Sequence, residues 1–125
     1  MSDSQFVAVT SAARTATGNS GAFDSPADAR GVLLTLSINV ASGTTPTLDI
    51  KVRRVDALGI AVDLPSGAFA QKTATGTDDL IIYPGVAETA NRSVSDCIGD
   101  SWQIVWTIGG TTPSFTFSIG ATYIR

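Results

Sequence analysis

The chain has 125 residues, 43% of them hydrophobic and 15% charged, with a formal net charge of −3 and no histidine. A single domain of this size buries roughly two thirds of the surface its unfolded chain exposes, and the composition excludes a disordered chain or a solvated helical bundle. Its few basic residues do not form the clustered face that phosphate backbones require, so no nucleic-acid partner is expected.

The opening "MSDSQFVAVT" (Met1–Thr10) places polar residues ahead of a short β-capable run. It lacks a charged segment followed by a long apolar one, so no secretion signal is read there. No stretch reaches the ~18–20 apolar residues of a membrane span, and a soluble, membrane-free protein made in a cytoplasm is expected. Residues 1–10 are assigned to an N-terminal arm and first strand, and residues 11–125 to the main domain. Ser2, Asp3, Ser4, Gln5, Phe6 and Val7 form a candidate docking arm. An extended arm that adds a strand to a neighbour's open edge satisfies its own backbone groups.

Strands are predicted at Phe6–Thr10 and Ala12–Thr17, followed by turn and loop signals in "TGNSG" (Thr17–Gly21) and "DSPADARG" (Asp24–Gly31). In "VLLTLSINV" the apolar face is Val32, Leu34, Leu36, Ile38 and Val40, with Leu33 breaking the alternation. That period of two marks a half-buried strand. "TLDIKVRR" continues it, with Leu48, Ile50 and Val52 inward and Asp49, Lys51 and Arg53 outward. The basic group Lys51, Arg53 and Arg54 is flanked by Asp49 and Asp56 and is read as a solvated strand face.

Weaker strands are predicted at Ile60–Leu64, Ala68–Thr75 and Leu80–Tyr83, punctuated by "LPSG" (Leu64–Gly67) and "YPG" (Tyr83–Gly85). The weakly patterned Gly85–Asp100 is assigned to a crossing between sheets. In "WQIVWTI", Trp102, Ile104, Trp106 and Ile108 share a face; in "SFTFSIGATYIR", Phe115, Phe117, Ile119, Ala121 and Tyr123 do the same. No helix is convincing, because the vocabulary is β-favouring and holds one Glu and two Lys. The fold class is all-β: a single-domain antiparallel β-sandwich, jelly-roll-like.

One loop is used twice. Gly43-Thr44-Thr45-Pro46 matches Gly110-Thr111-Thr112-Pro113, and each copy stands between alternating runs. Gly43, Pro46, Gly110 and Pro113 are read as structural turns, each a hairpin connection that reverses a strand. A phosphate cradle would need a lysine in P-loop spacing and a following helix, and neither is present.

Chemistry finds little purchase. Without histidine there is no Ser–His or Cys–His arrangement and no imidazole ligand for a metal. Cys97 is the lone cysteine, so no intrachain disulfide is available. Two acids alone suffice for glycoside hydrolysis, yet all the acids fit loop or outward strand positions. Asp78-Asp79 matches no compact calcium pattern. No catalytic residue, cofactor or metal is assigned. Trp102 and Trp106 would suit a sugar platform if exposed; shared with Ile104 and Ile108, that stripe is better read as core, together with Phe115 and Phe117.

"SAARTATGNSGAFD" (Ser11–Asp24), "LSINVASGTTPTLDIKV" (Leu36–Val52) and "WTIGGTTPSFTFS" (Trp106–Ser118) resemble small all-β structural proteins of tailed bacteriophages. Several proteins of that kind resemble capsid decoration (cement) proteins. The resemblance implies a virion protein on the outer head surface, binding the major capsid protein and stabilising the shell against packaged DNA, with a homo-oligomer, most naturally a trimer. It supplies no catalytic motif and leaves Arg53–Ser101 without a counterpart. A tail, fibre or carbohydrate-binding module is the alternative.

Overall fold

Alternation becomes a sandwich through one long bent ribbon. In the computed structural model, which describes residues 5–125, the elements are β1 (Gln5–Arg14), β2 (Gly18–Asp24), β3 (Gly31–Val55), β4 (Ala61–Ala68), β5 (Gly76–Ile82), β6 (Ser93–Val94) and β7 (Ser101–Ile124). β3 and β7 pair antiparallel from Gly31 opposite Ile124 to Arg54 opposite Trp102. The ribbon bends midway, and its two halves face each other across the core.

Neighbouring strands complete each half. Layer I holds β1, the Phe115–Ile124 part of β7, the Gly31–Ser42 part of β3, then β5 and β6. Layer II holds β2, the Ser101–Gly109 part of β7, the Thr47–Val55 part of β3, and β4. Ring contacts join the layers: Trp106 meets Phe117 at 5.5 Å between centroids and Trp102 meets Tyr123 at 6.2 Å, both edge-on. The sheet is antiparallel except where two-residue β6 runs parallel to β5.

The core follows the predicted alternation and shows where it must change phase. Leu34, Leu36, Leu48, Ile50, Val52, Leu80, Ile82, Ile104, Phe115, Phe117 and Ile119 are all fully or almost fully buried. In β7 the buried residues are even-numbered before the bend, as at Trp102, Ile104 and Trp106, and odd-numbered after it. In β3 a register shift between Ile38 and Val40 turns Val40 outward, where it is 50% exposed, and Ala41 packs on the core instead. A one-residue slip exchanges the two faces of a strand, which the expected inward Val40 did not include.

Two further expectations are corrected. "TGNSG" is not a turn: Gly18–Asp24 is strand β2, paired with β7 across a bulge between Asn19 and Ala22. Of the expected strand Ala68–Thr75, only Ala68 belongs to a strand, as the end of β4; the rest touches the sheet through the Phe69 N–H to Ile50 O bond and the isolated bridge of Lys72 with Leu48.

Candidate docking surfaces

The twin Gly-Thr-Thr-Pro segments are where the ribbon bends, and they lie against each other. The chain does not reverse at either: β3 and β7 both continue through, with Ser42 opposite Ser114 on one side and Thr47 opposite Gly109 on the other. The hairpin reading of Gly43, Pro46, Gly110 and Pro113 is therefore replaced by a paired corner. Gly and Pro serve a mid-strand bend as readily as a reversal, because both tasks need unusual φ and interrupted pairing.

The corner has near two-fold local symmetry. Gly43 and Gly110 have φ of 110° and 111°, and Thr45 and Thr112 have φ of 48° and 46°. A β-carbon on Gly43 would stand 2.7 Å from Thr112 O, and one on Gly110 would stand 2.7 Å from Thr45 O. Each glycine makes room for the backbone of the other copy. Thr45 Oγ1 donates to Thr44 O at 2.7 Å, and Thr112 Oγ1 donates to Thr111 O at 2.8 Å. The duplication thus serves one antiparallel crossing seen from both strands.

Trp102, Trp106, Phe115 and Phe117 are core. Trp102, Phe115 and Phe117 have no accessible surface and Trp106 has 7%, so neither tryptophan offers a sugar platform. Trp102 Nε1 donates to Tyr123 OH at 3.2 Å, and that hydroxyl donates to Asp24 O at 3.3 Å, so the buried polar tips are satisfied. Arg14, not singled out from the sequence, fills the bulge between β1 and β7. Its guanidinium donates to Thr10 O, Ala12 O and Phe117 O and lies over the Trp106 and Phe117 rings at 5.1 and 4.7 Å. Burial lowers its pKa from the ordinary arginine value, and the group stays cationic.

Of the expected arm, Ser2, Asp3 and Ser4 lie outside the described residues. Gln5, Phe6 and Val7 belong to β1 and pair with Thr122, Ala121 and Gly120. Phe6 packs on Phe23, Trp102 and Tyr123 with ring centroids 5.4–6.4 Å apart, whereas Val7 is 64% exposed. Beside it a shallow hollow of ≈ 420 Å³ is lined by Gln5, Val7, Thr35, Gly120 and Thr122 among others. Gly120 has no positive φ, and a β-carbon there would meet nothing within 4 Å.

The end opposite the corner gathers the loops. There lie the Ser25–Arg30 connection, the Asp96–Asp100 segment, the start of β1 and the β3–β4 hairpin. Asp56 builds the hairpin: its Oδ1 accepts from Leu58 N and Ile60 N at 2.9 Å each, and its carbonyl accepts from Gly59 N. Leu58 is 82% exposed at the tip, with Ile60 and Val62 half exposed beside it. Val62 lies opposite Arg54, which continues the inward phase of Ile50 and Val52. Alternation signals Ile60 and Val62 as core, yet about half of each stays exposed.

Polar chemistry at this end is structural. Arg54 donates to Asp96 Oδ1 at 2.8 Å and to Cys97 O and Sγ at 3.3 Å, tying the Asp96–Asp100 segment to β3. Away from this end, along β5, Asp78 is held by Lys72 at 2.6 Å, and Arg92 reaches Asp79 at 3.3 Å. Among the described residues no group of three His, Cys, Asp or Glu is arranged to hold a metal. No helix among the described residues is long and apolar enough to cross a membrane.

No protein-family model matches the chain, and no curated protein matches it. Among solved structures, it is similar to a chain in the structure of infectious bursal disease virus, Gx strain, with a TM-score of 0.51 and 15% identity. The likeness covers 96% of this chain and 31% of that one, so the whole domain is matched to about a third of a longer protein. At that identity the likeness is one of fold.

Proposed function

We propose that this chain is a virion structural protein, a decoration protein that binds the outer head surface of a tailed phage through the major capsid protein. The observation that carries the reading is the fold likeness over 96% of the chain to part of a protein in a virus particle. The motif resemblance to phage structural proteins, several of which resemble decoration proteins, favours the head over the tail. The work is binding, with no catalytic step. A protein that binds the assembled shell and not its separated subunits stabilises the shell by about 2.7 kcal/mol per site at a concentration one hundred times Kd. A trimer on local threefold positions multiplies weak contacts through effective concentration. The segment Ser2–Val7 is proposed as one contact with the shell, with the exposed Val7 and the hollow beside Gly120 as its described part.

The test is co-sedimentation of the purified chain with purified phage heads that lack it, together with the heads' thermal rupture temperature. Saturable binding and a raised rupture temperature support the reading. A chain that ignores heads and binds immobilised glycans sinks it in favour of an adhesive module. Deleting residues 2–4 tests the arm while keeping Phe6 in its aromatic cluster, and undiminished binding removes the arm from the docking surface.

A further inference from the structure

We propose that the β3–β4 hairpin is an apolar knob that seats in a hollow of the partner protein bordered by lysine or arginine. The inference rests on the virion reading, in which that partner is the shell protein.

Three observations carry it. First, Leu58 is 82% exposed, Ile60 53% and Val62 55%, three large apolar side chains within five residues of one hairpin. Second, the tip is built and not merely loose. Asp56 satisfies the N–H groups of Leu58, Ile60 and Gly59, while Gly59 takes the positive φ of 80° that closes the turn. A preorganised loop loses little conformational freedom when it binds. Beside it lies a hollow of ≈ 380 Å³ lined by Arg54, Val55, Ala57, Ile60, Val62 and Asp100 among others.

Third, the charge around the knob is unbalanced. The carboxylates of Asp24 and Asp100 have no ion pair or hydrogen bond among the described residues. Ser25 N donates to Asp100 O at 2.8 Å, which brings their two segments together. The Arg54 charge is already engaged by Asp96, and that of Arg125 by Asp28. Arg30 is exposed in the adjoining hollow with Cys97 and offsets one carboxylate. The end therefore stays net negative around an apolar projection, and its complement is an apolar seat with a basic rim. A second copy would oppose acid to acid on the same patch, which disfavours self-association there. A glycan would want an exposed aromatic face, and both tryptophans are buried.

The experiment measures binding of wild type, Leu58→Asp, Leu58→Ser, Leu58→Met and the double variant Asp24→Asn, Asp100→Asn to purified phage heads lacking the chain. Thermal melts check that each variant folds, and sedimentation reports its oligomeric state. Leu58→Asp and Leu58→Ser are expected to weaken binding at least tenfold with an unchanged melt, and Leu58→Met to restore it. The double variant is expected to flatten the salt dependence of binding. Wild-type binding that Leu58→Asp and Leu58→Ser leave intact overturns the knob and spares the virion reading. Failure of wild type itself to bind heads overturns both. A Leu58→Asp chain that loses a wild-type oligomer yet binds heads as before overturns the proposal by making the knob a self-contact.

Discussion

The two ends of the sandwich solve opposite problems with similar vocabulary. At the corner, glycine, threonine and proline recur in duplicate because two antiparallel strands cross there and each must yield to the other's backbone. At the loop end nothing is duplicated: Asp56, Gly59, Arg54 and Asp96 each hold one loop in one way, and apolar side chains project outward. The corner turns a ribbon into two layers, and its specificity is internal. The loop end is equally well built, yet its projecting residues leave half or more of their surface in water. A built loop that leaves Leu58 in water is informative where a loose one would not be.

The largest expected effects lie in the aromatic clusters beneath each end. Trp102→Ala at the loop end and Trp106→Ala near the corner should each cost about 3–5 kcal/mol through lost burial and a residual cavity. Trp102 should be the more costly, because its loss also removes the Nε1 bond to Tyr123 and the contacts with Phe6 and Phe23. Chemical denaturation midpoints check this. A stable Trp102→Ala chain would mean the loop end is not anchored by its core.

The corner's symmetry is tested next. Gly43→Val and Gly110→Val should each destabilise by about 2–4 kcal/mol, combining left-handed backbone strain with overlap on an opposing carbonyl. The two losses should be equal within error, and the double variant should cost less than their total because both disturb one crossing. Gly120→Val is the contrast: with open space and ordinary φ it should leave stability unchanged or raise it by up to about 1 kcal/mol. Unequal losses at Gly43 and Gly110 would break the two-fold account.

A smaller effect of opposite sign belongs to the same corner. Thr45 and Thr112 are β-branched residues at left-handed φ, a costly position. Thr45→Asn and Thr112→Asn should each raise stability by about 0.5–1 kcal/mol, read from thermal melts. A loss would show that the threonine hydroxyl bond to the preceding carbonyl matters more than the strain.

These features differ in how far they could be read from residues alone. The core was legible, because Leu34, Leu36, Ile50, Ile104 and Phe117 obey a period of two that burial on one face imposes. The phase changes were not: the bulge that expels Val40 leaves no residue signature in "SINVAS". The twin Gly-Thr-Thr-Pro segments were legible as structural and illegible as a corner, since their partner is each other across a long separation. Strand β2 was hidden by Gly18, Asn19 and Gly21, whose turn-forming character is absorbed by a bulge. Ile60 and Val62 alternate like core residues and are nonetheless half exposed. Coverage is a property of the partner layer, which local pattern does not encode.

The smallest expected effect separates exposed charge pairing from both ends. Asp63 on β4 accepts from Arg53 Nε at 2.6 Å and Lys51 Nζ at 3.0 Å, bridging to β3 midway along layer II. The Arg53 hydrogen bond, and then that of Lys51, hold its carboxyl below the ordinary value of 3.8. A depressed carboxylate pKa contributes stability that is fully present above the unfolded-state value and lost as pH falls through the folded one. The loss therefore falls below about pH 4, and none is expected between pH 5 and 8. Asp63 is more than half exposed, so solvent screening keeps the contribution within about 0–1 kcal/mol. Asp63→Asn should lower the denaturation midpoint slightly at pH 7, and the difference from wild type should shrink toward pH 2 and with added salt. A pH-independent difference would assign the effect to packing of the hairpin base, and would make β4, like the knob it carries, a feature held by shape and not by charge.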